Sequence, residues 1–266
     1  MGTPPRRLDQ AVVDLGLAPT REKARALILA GRILVDGRRD VKPGQRVKPD
    51  ASIELLPGPR PFASRGGLKL DGALDRLALD VEGLRCIDVG ASTGGFTDVL
   101  LRRGAAHVTA VDVGRGLLDA RLRDDPRVTV REGINARHLR AGDVDGPYDL
   151  ATIDVSFISL TLVLPAVVPL VPRGQVLALV KPQFELSRRE VPRGGVVRDP
   201  AARRRAVLRV ARCLAGAGHG VRAVVRSPVA GPKGNREVFV LGARGPGLDD
   251  AALDARLTEE IDRDDA

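Results

Sequence analysis

The amino-acid sequence predicts an α/β protein: a Rossmann-like sheet of seven strands, preceded by a small α+β unit. Three observations lead there. Short apolar runs alternate with amphipathic segments from residue 84 to residue 242, the pattern of strands and helices feeding a largely parallel sheet. Within it, LRCIDVGASTGGF (84–96) reads as strand, glycine turn and helix start, a layout that brings backbone N–H groups up to a ligand. Ahead of it, the proline-rich PGPRPFA (57–63) closes off a basic segment with helix and strand signals of its own. The expected division is residues 1–57, a short stiff linker over 58–63 that fixes the angle between the domains, and residues 64–266.

With 266 residues, 43% of them hydrophobic, the chain is long enough for one large core and one small one. Aromatic residues make up 2%, so the cores must be built from Leu, Val and Ala, and base-stacking platforms are few. The formal net charge of +9 is unevenly spread. Residues 1–60 hold 12 Lys and Arg against seven Asp and Glu, whereas 248–266 hold eight acids and two arginines. The basic body suits a polyanionic partner. Cys86 and Cys213 stand alone in apolar runs, so they read as buried small hydrophobes in a reducing compartment, and no metal is expected. MGTPPRRLDQ lacks the apolar centre of a signal peptide. Leu160–Val180 is split at Pro172, Arg173 and Gly174 into a helix and a buried strand, each too short to span a membrane. A cytoplasmic protein without a membrane partner is expected, with a monomer favoured.

In the N-terminal unit Leu8, Val12 and Leu15 recur at helical spacing, and Thr20 caps a second helix, REKARALILAG, ending at Gly31. ILVDGRR supplies a strand and an Asp-Gly turn, and VKPGQRVKPDASIELL two more short strands, so two helices should pack on a small sheet. Arg21 and Arg25 lie one turn apart with Lys23 beside them, and Arg32, Arg38 and Arg39 follow. Such a face can sit against phosphates.

Ser64–Val81 reads as a helix with Leu68, Leu70, Leu74 and Leu77 as its buried stripe and Lys69 projecting beside the glycine turn. The second strand is His107–Asp112, followed by a helix over Arg115–Leu122 and a third strand around Arg127–Val130. The fourth strand ends at Asp154. Gln175–Lys181 is the fifth, almost wholly apolar and therefore covered on both faces, with Lys181 at its end. Leu186–Pro200, which contains Arg188 and Arg189, reads as a mobile loop able to reach phosphates. A helix over Ala201–Leu214 leads to closing strands at His219–Ser227 and Arg236–Gly242, with Glu237 out of the apolar pattern. Leu248, Leu253, Leu257 and Ile261 dock a last helix whose acids form a solvated face.

The glycine spacing decides what the turn can hold. Gly90 is followed by Gly94 and Gly95, which is not the G-x-G-x-x-G of a dinucleotide site. Asp88, two residues before the first glycine, suits an ammonium group and repels a pyrophosphate. Asp112, at the tip of the second strand, is placed to accept from both hydroxyls of a ribose. S-adenosylmethionine is the common cofactor with an amino-acid end and a ribose. Ser92, Thr93, Gly94, Gly95 and Phe96 would form the turn around it, and Asn135 is a candidate partner for its adenine. Asp154 and Lys181 end neighbouring strands, at the edge where open parallel sheets bind ligands. Asp-Val-Ser-Phe at 154–157 differs from the Asn/Asp-Pro-Pro-aromatic tip of amino-directed methyltransferases, which argues against chemistry on a base.

RRLDQAVVDLGLAPTREKARALILAGRILVDGRRDVKPGQRVKP resembles the alpha-L RNA-binding domain shared with ribosomal protein S-four and pseudouridine synthases. The resemblance implies RNA contacts from Arg6, Arg7, Arg21, Lys23, Arg25, Arg32 and Lys42, continued by Arg60, Phe62 and Arg65. Further on, S-R-x-x-x-K-L at Ser64–Leu70 and the set Lys69, Asp154, Lys181, Glu237 resemble the FtsJ-like ribose 2′-O-methyltransferases and their Lys-Asp-Lys-Glu tetrad. With DVGASTGGFTD, DVSFISL, LVKPQFE and GNREVF, the chain resembles the TlyA family over nearly its full length, although Phe62 stands where that family often carries Trp. Members are known as rRNA cytidine-2′-O-methyltransferases and, historically, as haemolysins.

The resemblance implies S-adenosylmethionine-dependent methylation of a ribose 2′-hydroxyl, of a cytidine, in ribosomal RNA within ribosomal subunits. Methyl transfer to such a weak nucleophile needs in-line positioning and removal of the hydroxyl proton. Lys181 is then expected as base or polariser, Asp154 as its orienting partner, and Lys69 with Glu237 as the pair that positions the ribose. Rival readings are a base methyltransferase on the same fold and a non-catalytic RNA-binding factor, which would need no tetrad. The glycine spacing disfavours a nicotinamide dehydrogenase, and no exposed amphipathic segment suits a membrane-lytic protein.

Overall fold

Seven strands form the central sheet of the larger of two units, Phe62–Ala266; the smaller is Met1–Pro61. The computed structural model describes residues 5–29, 32–38, 41–56, 62–231 and 233–262. Gly31, Arg39, Arg60 and most of the proline-rich linker lie outside the described residues.

In the small unit β1 (Arg6–Arg7) leads into α1 (Leu8–Asp14), followed by α2 (Arg21–Leu29), β2 (Ile33–Val35), β3 (Arg46–Val47) and β4 (Ile53–Leu55). Its core joins Leu8, Ala11 and Val12 of α1 to Ala24 and Ile28 of α2, with Ile33 and Val47 below. Thr20 Oγ1 accepts from the Lys23 amide at 3.2 Å, the expected cap. Asp36 and Gly37 both hold positive φ, 49° and 75°, as a tight Asp-Gly turn requires. Two expectations fail. The strands make two separate ribbons, β1 with β3 and β2 with β4, rather than one sheet. Leu15 follows the end of α1 and is exposed, so Ala11 takes the place expected of it in the buried stripe.

The larger unit runs α3 (Gly66–Leu77), β5 (Arg85–Val89), α4 (Gly95–Arg102), β6 (His107–Asp112), α5 (Ala120–Arg123), β7 (Val128–Glu132), β8 (Leu150–Ile153), α6 (Leu160–Val167), β9 (Gln175–Val180), α7 (Pro182–Glu185), α8 (Pro200–Gly216), β10 (His219–Arg226), β11 (Val238–Arg244) and α9 (Asp250–Glu260). Across the sheet the order is β7-β6-β5-β8-β9-β11-β10. All neighbours are parallel except β11, which runs antiparallel between β9 and β10. The chain winds from β5 outward to β7, then returns to β8 on the other side of β5. That reversal opens a crevice at the carboxyl ends of β5 and β8.

Side-chain alternation along the strands feeds two apolar layers. Ile87, Val89, Val176, Ala178 and Val180 pack on one face with α6 and α8. Cys86, Leu177, Leu179 and Phe239 pack on the other with Leu70 and Leu74 of α3 and Val99 and Leu100 of α4.

Four expectations about this unit change. The helix expected over 115–122 is the single turn α5, because Gly114 and Gly116 precede it and the Asp119 carboxylate caps the Arg121 amide at 2.9 Å. Leu68 is exposed: it sits two residues from Leu70, on the opposite side of the helix from the Leu70–Leu74 stripe. Cys213 is half-buried rather than buried. Glu260 is not part of a solvated face; it is buried beneath α9, taking Arg76 Nη2 at 2.5 Å and the Arg226 amide at 2.8 Å.

Candidate active site at the carboxyl edge of the sheet

The glycine turn is shaped by close approach. Gly90 has φ +87°, and a Cβ there would stand 2.6 Å from the Asp154 carbonyl oxygen. A Cβ on Gly95 would strike Ser64 Oγ and lie 2.9 Å from the Gly67 amide, so the absent side chain lets the starts of α3 and α4 meet. Gly94, at φ +93°, packs on Leu118 and Leu122.

Two acids organise this turn from behind. Asp112 Oδ2 accepts from the Ser92 amide at 2.8 Å and Oδ1 from the Gly114 amide at 2.7 Å, which locks Ser92 at φ +50°. Asp88 was expected to meet an ammonium group, and its geometry does not offer that. It is fully buried, with Oδ2 accepting from the Thr97 hydroxyl at 2.7 Å and Oδ1 from Thr152 at 3.2 Å. Burial pushes its carboxyl up to about 7, with the Asp154 charge adding and the two threonines opposing. Asp88 therefore braces the turn from within the sheet.

Four charged side chains from distant parts of the chain converge on one cavity of about 610 Å³. Lys181 and Asp154 follow the last residues of the parallel strands β9 and β8. Glu237 precedes β11, and because that strand runs the opposite way, its start lies at the same edge. Lys69 reaches in from α3. The four form two pairs: Lys69 Nζ donates to Glu237 Oε2 at 2.6 Å, and Lys181 Nζ stands 2.5 Å from Asp154 Oδ1. Lys69, Lys181 and Glu237 are buried and Asp154 is partly so. Burial raises the Glu237 carboxyl above its ordinary range, while Lys69, then Lys181, pull it back.

Gly90, Ser92, Thr93, Gly95 and Phe96 line one wall of this cavity; Asp112 and Asn135 do not. Asn135 instead caps a short turn, its Oδ1 accepting from the Arg137 amide at 3.0 Å. The same cavity is lined by residues with no role assigned from the sequence beyond membership of DVSFISL and LVKPQFE: Ser156, Phe157, Gln183 and Phe184. Phe157 is 91% exposed at φ +64°, its ring centroid 5.1 Å from that of Phe184. Gln183 Oε1 is buried with no hydrogen-bond partner among the described residues. Ser156 and Phe157 lie in an irregular loop and Gln183 and Phe184 in the single turn α7, neither of which carries a periodic signal, so only the position next to Asp154 and Lys181 could have pointed to these residues.

The expected phosphate-binding residues divide into two kinds. Arg7 and Arg21 clamp the fully buried Asp9, Arg7 through two contacts of 3.0 Å and Arg21 at 3.1 Å. The Arg7 hydrogen bonds lower the Asp9 carboxyl to about 2 despite its burial, with Arg21 adding to the effect. Arg6 pairs with Asp14 at 3.0 Å, and Arg32 donates to the Leu56 carbonyl at 2.8 Å. By contrast Lys23, Arg25 and Lys42 are exposed and make no ion pair among the described residues. In the larger unit Arg65 lies at the cavity's end of α3 and reaches the Ala230 carbonyl at 3.5 Å, while Phe62 lies under the Arg102 guanidinium at 4.8 Å. Arg188 and Arg189 are exposed. Their loop was expected to be mobile, but its second half is tied down: Asn235 donates to the Gly195 carbonyl at 2.7 Å and accepts from the Val197 amide at 2.9 Å.

Among the described residues no helix is long and apolar enough to cross a membrane.

Residues 62–244 match the family described as FtsJ-like methyltransferase, and residues 6–53 match the S4 domain. The chain is 48% identical over 236 residues to the 16S/23S rRNA (cytidine-2′-O)-methyltransferase TlyA of Mycobacterium tuberculosis, covering 88% of each protein. It is 36% identical to Hemolysin A of Brachyspira hyodysenteriae, covering 87% of this chain and 97% of that one. A solved structure from Streptococcus thermophilus, named a hemolysin, covers 98% of both chains at 38% identity with a TM-score of 0.70. By sequence and by fold, the chain belongs to the TlyA family of FtsJ-like methyltransferases.

Proposed function

We propose that the chain transfers a methyl group from S-adenosylmethionine to the 2′-hydroxyl of a cytidine in ribosomal RNA, acting on ribosomal subunits. The observation that carries this reading is the convergence of two lysine–carboxylate pairs on one cavity beside the glycine turn. The relative from Mycobacterium tuberculosis, named for 16S/23S rRNA cytidine-2′-O-methylation, supports the substrate class.

The residues present fit the cofactor. Gly90 and Gly95 leave a wall of bare backbone where any side chain would collide, and α4 begins at that wall. Asp112 keeps lone pairs beyond the two amides it already holds and is the candidate ribose acceptor. When bound, S-adenosylmethionine supplies an electrophilic methyl carbon. The work of the chain's own residues is to bring the substrate oxygen to that carbon and to take its proton. Lys181, held against Asp154, receives the proton of the 2′-hydroxyl. Lys69, fixed by Glu237, donates to the ribose and holds it in place. A buried pair of opposite charges positions a polar substrate without leaving an uncompensated ion in the cavity. Lys23, Arg25 and Lys42 of the N-terminal unit supply cations for RNA phosphates, with Arg188 and Arg189 as further candidates.

The test is transfer of labelled methyl from S-adenosylmethionine to unmodified ribosomal subunits, followed by nuclease digestion and nucleoside analysis. Label in 2′-O-methylcytidine that disappears in Lys181→Ala is expected. Label on a base would overturn the reading of the tetrad.

A further inference from the structure

We infer that Ser156 is a positioning residue for Lys181: its hydroxyl accepts the hydrogen bond that, beside the attraction of the Asp154 carboxylate, fixes how the lysine nitrogen is turned in the cavity. This rests on the proposed role of Lys181 as the group that receives the ribose proton. Lys181 Nζ donates to Ser156 Oγ at 2.9 Å and stands 2.5 Å from Asp154 Oδ1. A neutral amine is tetrahedral at nitrogen, with one bond to carbon, two N–H bonds and one lone pair. One N–H bond is directed at Ser156 Oγ, which limits rotation about the carbon–nitrogen bond, whereas Asp154 Oδ1 accepts no hydrogen bond among the described residues and holds the nitrogen by charge. Fixing that rotation fixes the lone pair as well. The hydroxyl proton of the substrate can then pass to it as the O–H bond breaks and a third N–H bond forms.

Lys69 differs in its acceptor: its hydrogen bond goes to the carboxylate Glu237 Oε2 itself at 2.6 Å, an arrangement that suits a donor more than a base. Ser156 belongs to the Asp-Val-Ser-Phe tip, whose sequence argued against amine chemistry without assigning the serine a task.

The loop that carries Ser156 is held at both ends. The Asp154 amide donates to the Val89 carbonyl at 3.0 Å. Downstream, the buried Glu185 accepts from the Ser159 hydroxyl at 2.6 Å and from the Leu160 amide at 2.8 Å. Ser156 itself is exposed, so its removal opens no cavity and should leave the fold intact.

Single-turnover methylation at saturating subunits and cofactor tests this, with the wild type first shown to label ribose. In Ser156→Ala the rate is expected to fall about tenfold to a hundredfold, the scale of a misdirected reacting group. KM for subunits and the calorimetric affinity for S-adenosylmethionine should stay unchanged. Ser156→Thr, which keeps the hydroxyl, should recover most of the rate. In a Lys181→Ala background the serine change should add no further loss. A wild-type rate in Ser156→Ala, a raised KM at unchanged rate, or a loss that Thr does not rescue would overturn the assignment while leaving the proposed function intact. Wild-type label on a base would overturn both.

Discussion

Glu237 shows how a single buried charge sets the cost of its own removal. It has almost no solvent exposure and one ammonium partner, Lys69, itself buried. Glu237→Ala would leave that ammonium uncompensated, and a broken buried pair costs roughly 3–5 kcal/mol. The variant is expected to lose methyl transfer and to unfold at lower urea than Glu237→Gln, which keeps an acceptor for Lys69. Asp9 gives a residue-scale test with a pH signature. Its carboxyl is depressed to about 2 from an ordinary 3.8, so the stability it contributes is present above pH 4 and is lost as pH falls toward 2. Because Arg7 and Arg21 are half-exposed, screening limits the effect to about 1–2 kcal/mol. Asp9→Asn should speed amide exchange in α1 at pH 7, and the difference from wild type should vanish near pH 2. Asp88 has the opposite sign. Its raised carboxyl contributes stability at low pH that is lost as pH rises through about 7. Asp88→Asn should therefore gain stability relative to wild type at pH 8.5 and show a clearly smaller part of that gain at pH 5, read by urea denaturation.

At the scale of elements, the strand ends were the legible part. A run of apolar residues that stops at a charge marks where a buried strand leaves the sheet, and Asp112, Asp154 and Lys181 were found that way. Glu237 stood out because it interrupts the same pattern at the start of an antiparallel strand. The turn was legible through its glycines, and here Gly90→Ala makes a prediction: a Cβ meets the Asp154 carbonyl and φ is positive, so cofactor affinity and stability should fall together, the latter by about 1–3 kcal/mol. What could not be read was the rest of the cavity lining. Ser156 and Phe157 sit in a loop and Gln183 in the single turn α7, too short for a 2- or 3.6-residue period to show, and their importance comes only from neighbours remote in sequence. That Asp88 spends its oxygens on two threonines, and that Glu260 is not part of a solvated face, could not be read for a related reason. A carboxylate written in a sequence does not show whether water, two threonines or an arginine will satisfy it.

For the molecule as a whole, charge divides by task. Cations of the N-terminal unit that clamp Asp9 are committed to the fold, whereas Lys23, Arg25 and Lys42 stand open to solvent. Lys23→Glu with Arg25→Glu should weaken binding to ribosomal subunits across all sequences and flatten its salt dependence, roughly one unit of log–log slope per lost phosphate contact, in a filter-binding titration. Single-turnover rate at saturating subunits should remain close to wild type.

The antiparallel β11 has a consequence in time. Lys69 and Glu237 are 168 residues apart in the chain. Translation at about 5–20 residues per second separates their synthesis by roughly 8–34 s, and N-terminal domains fold first. A growing chain thus exposes its S4 unit and glycine turn well before Lys69 has its carboxylate. On the proposed roles, a copy terminated in that interval is expected to retain the RNA-facing cations and to lack the complete tetrad, so that it competes for RNA without modifying it.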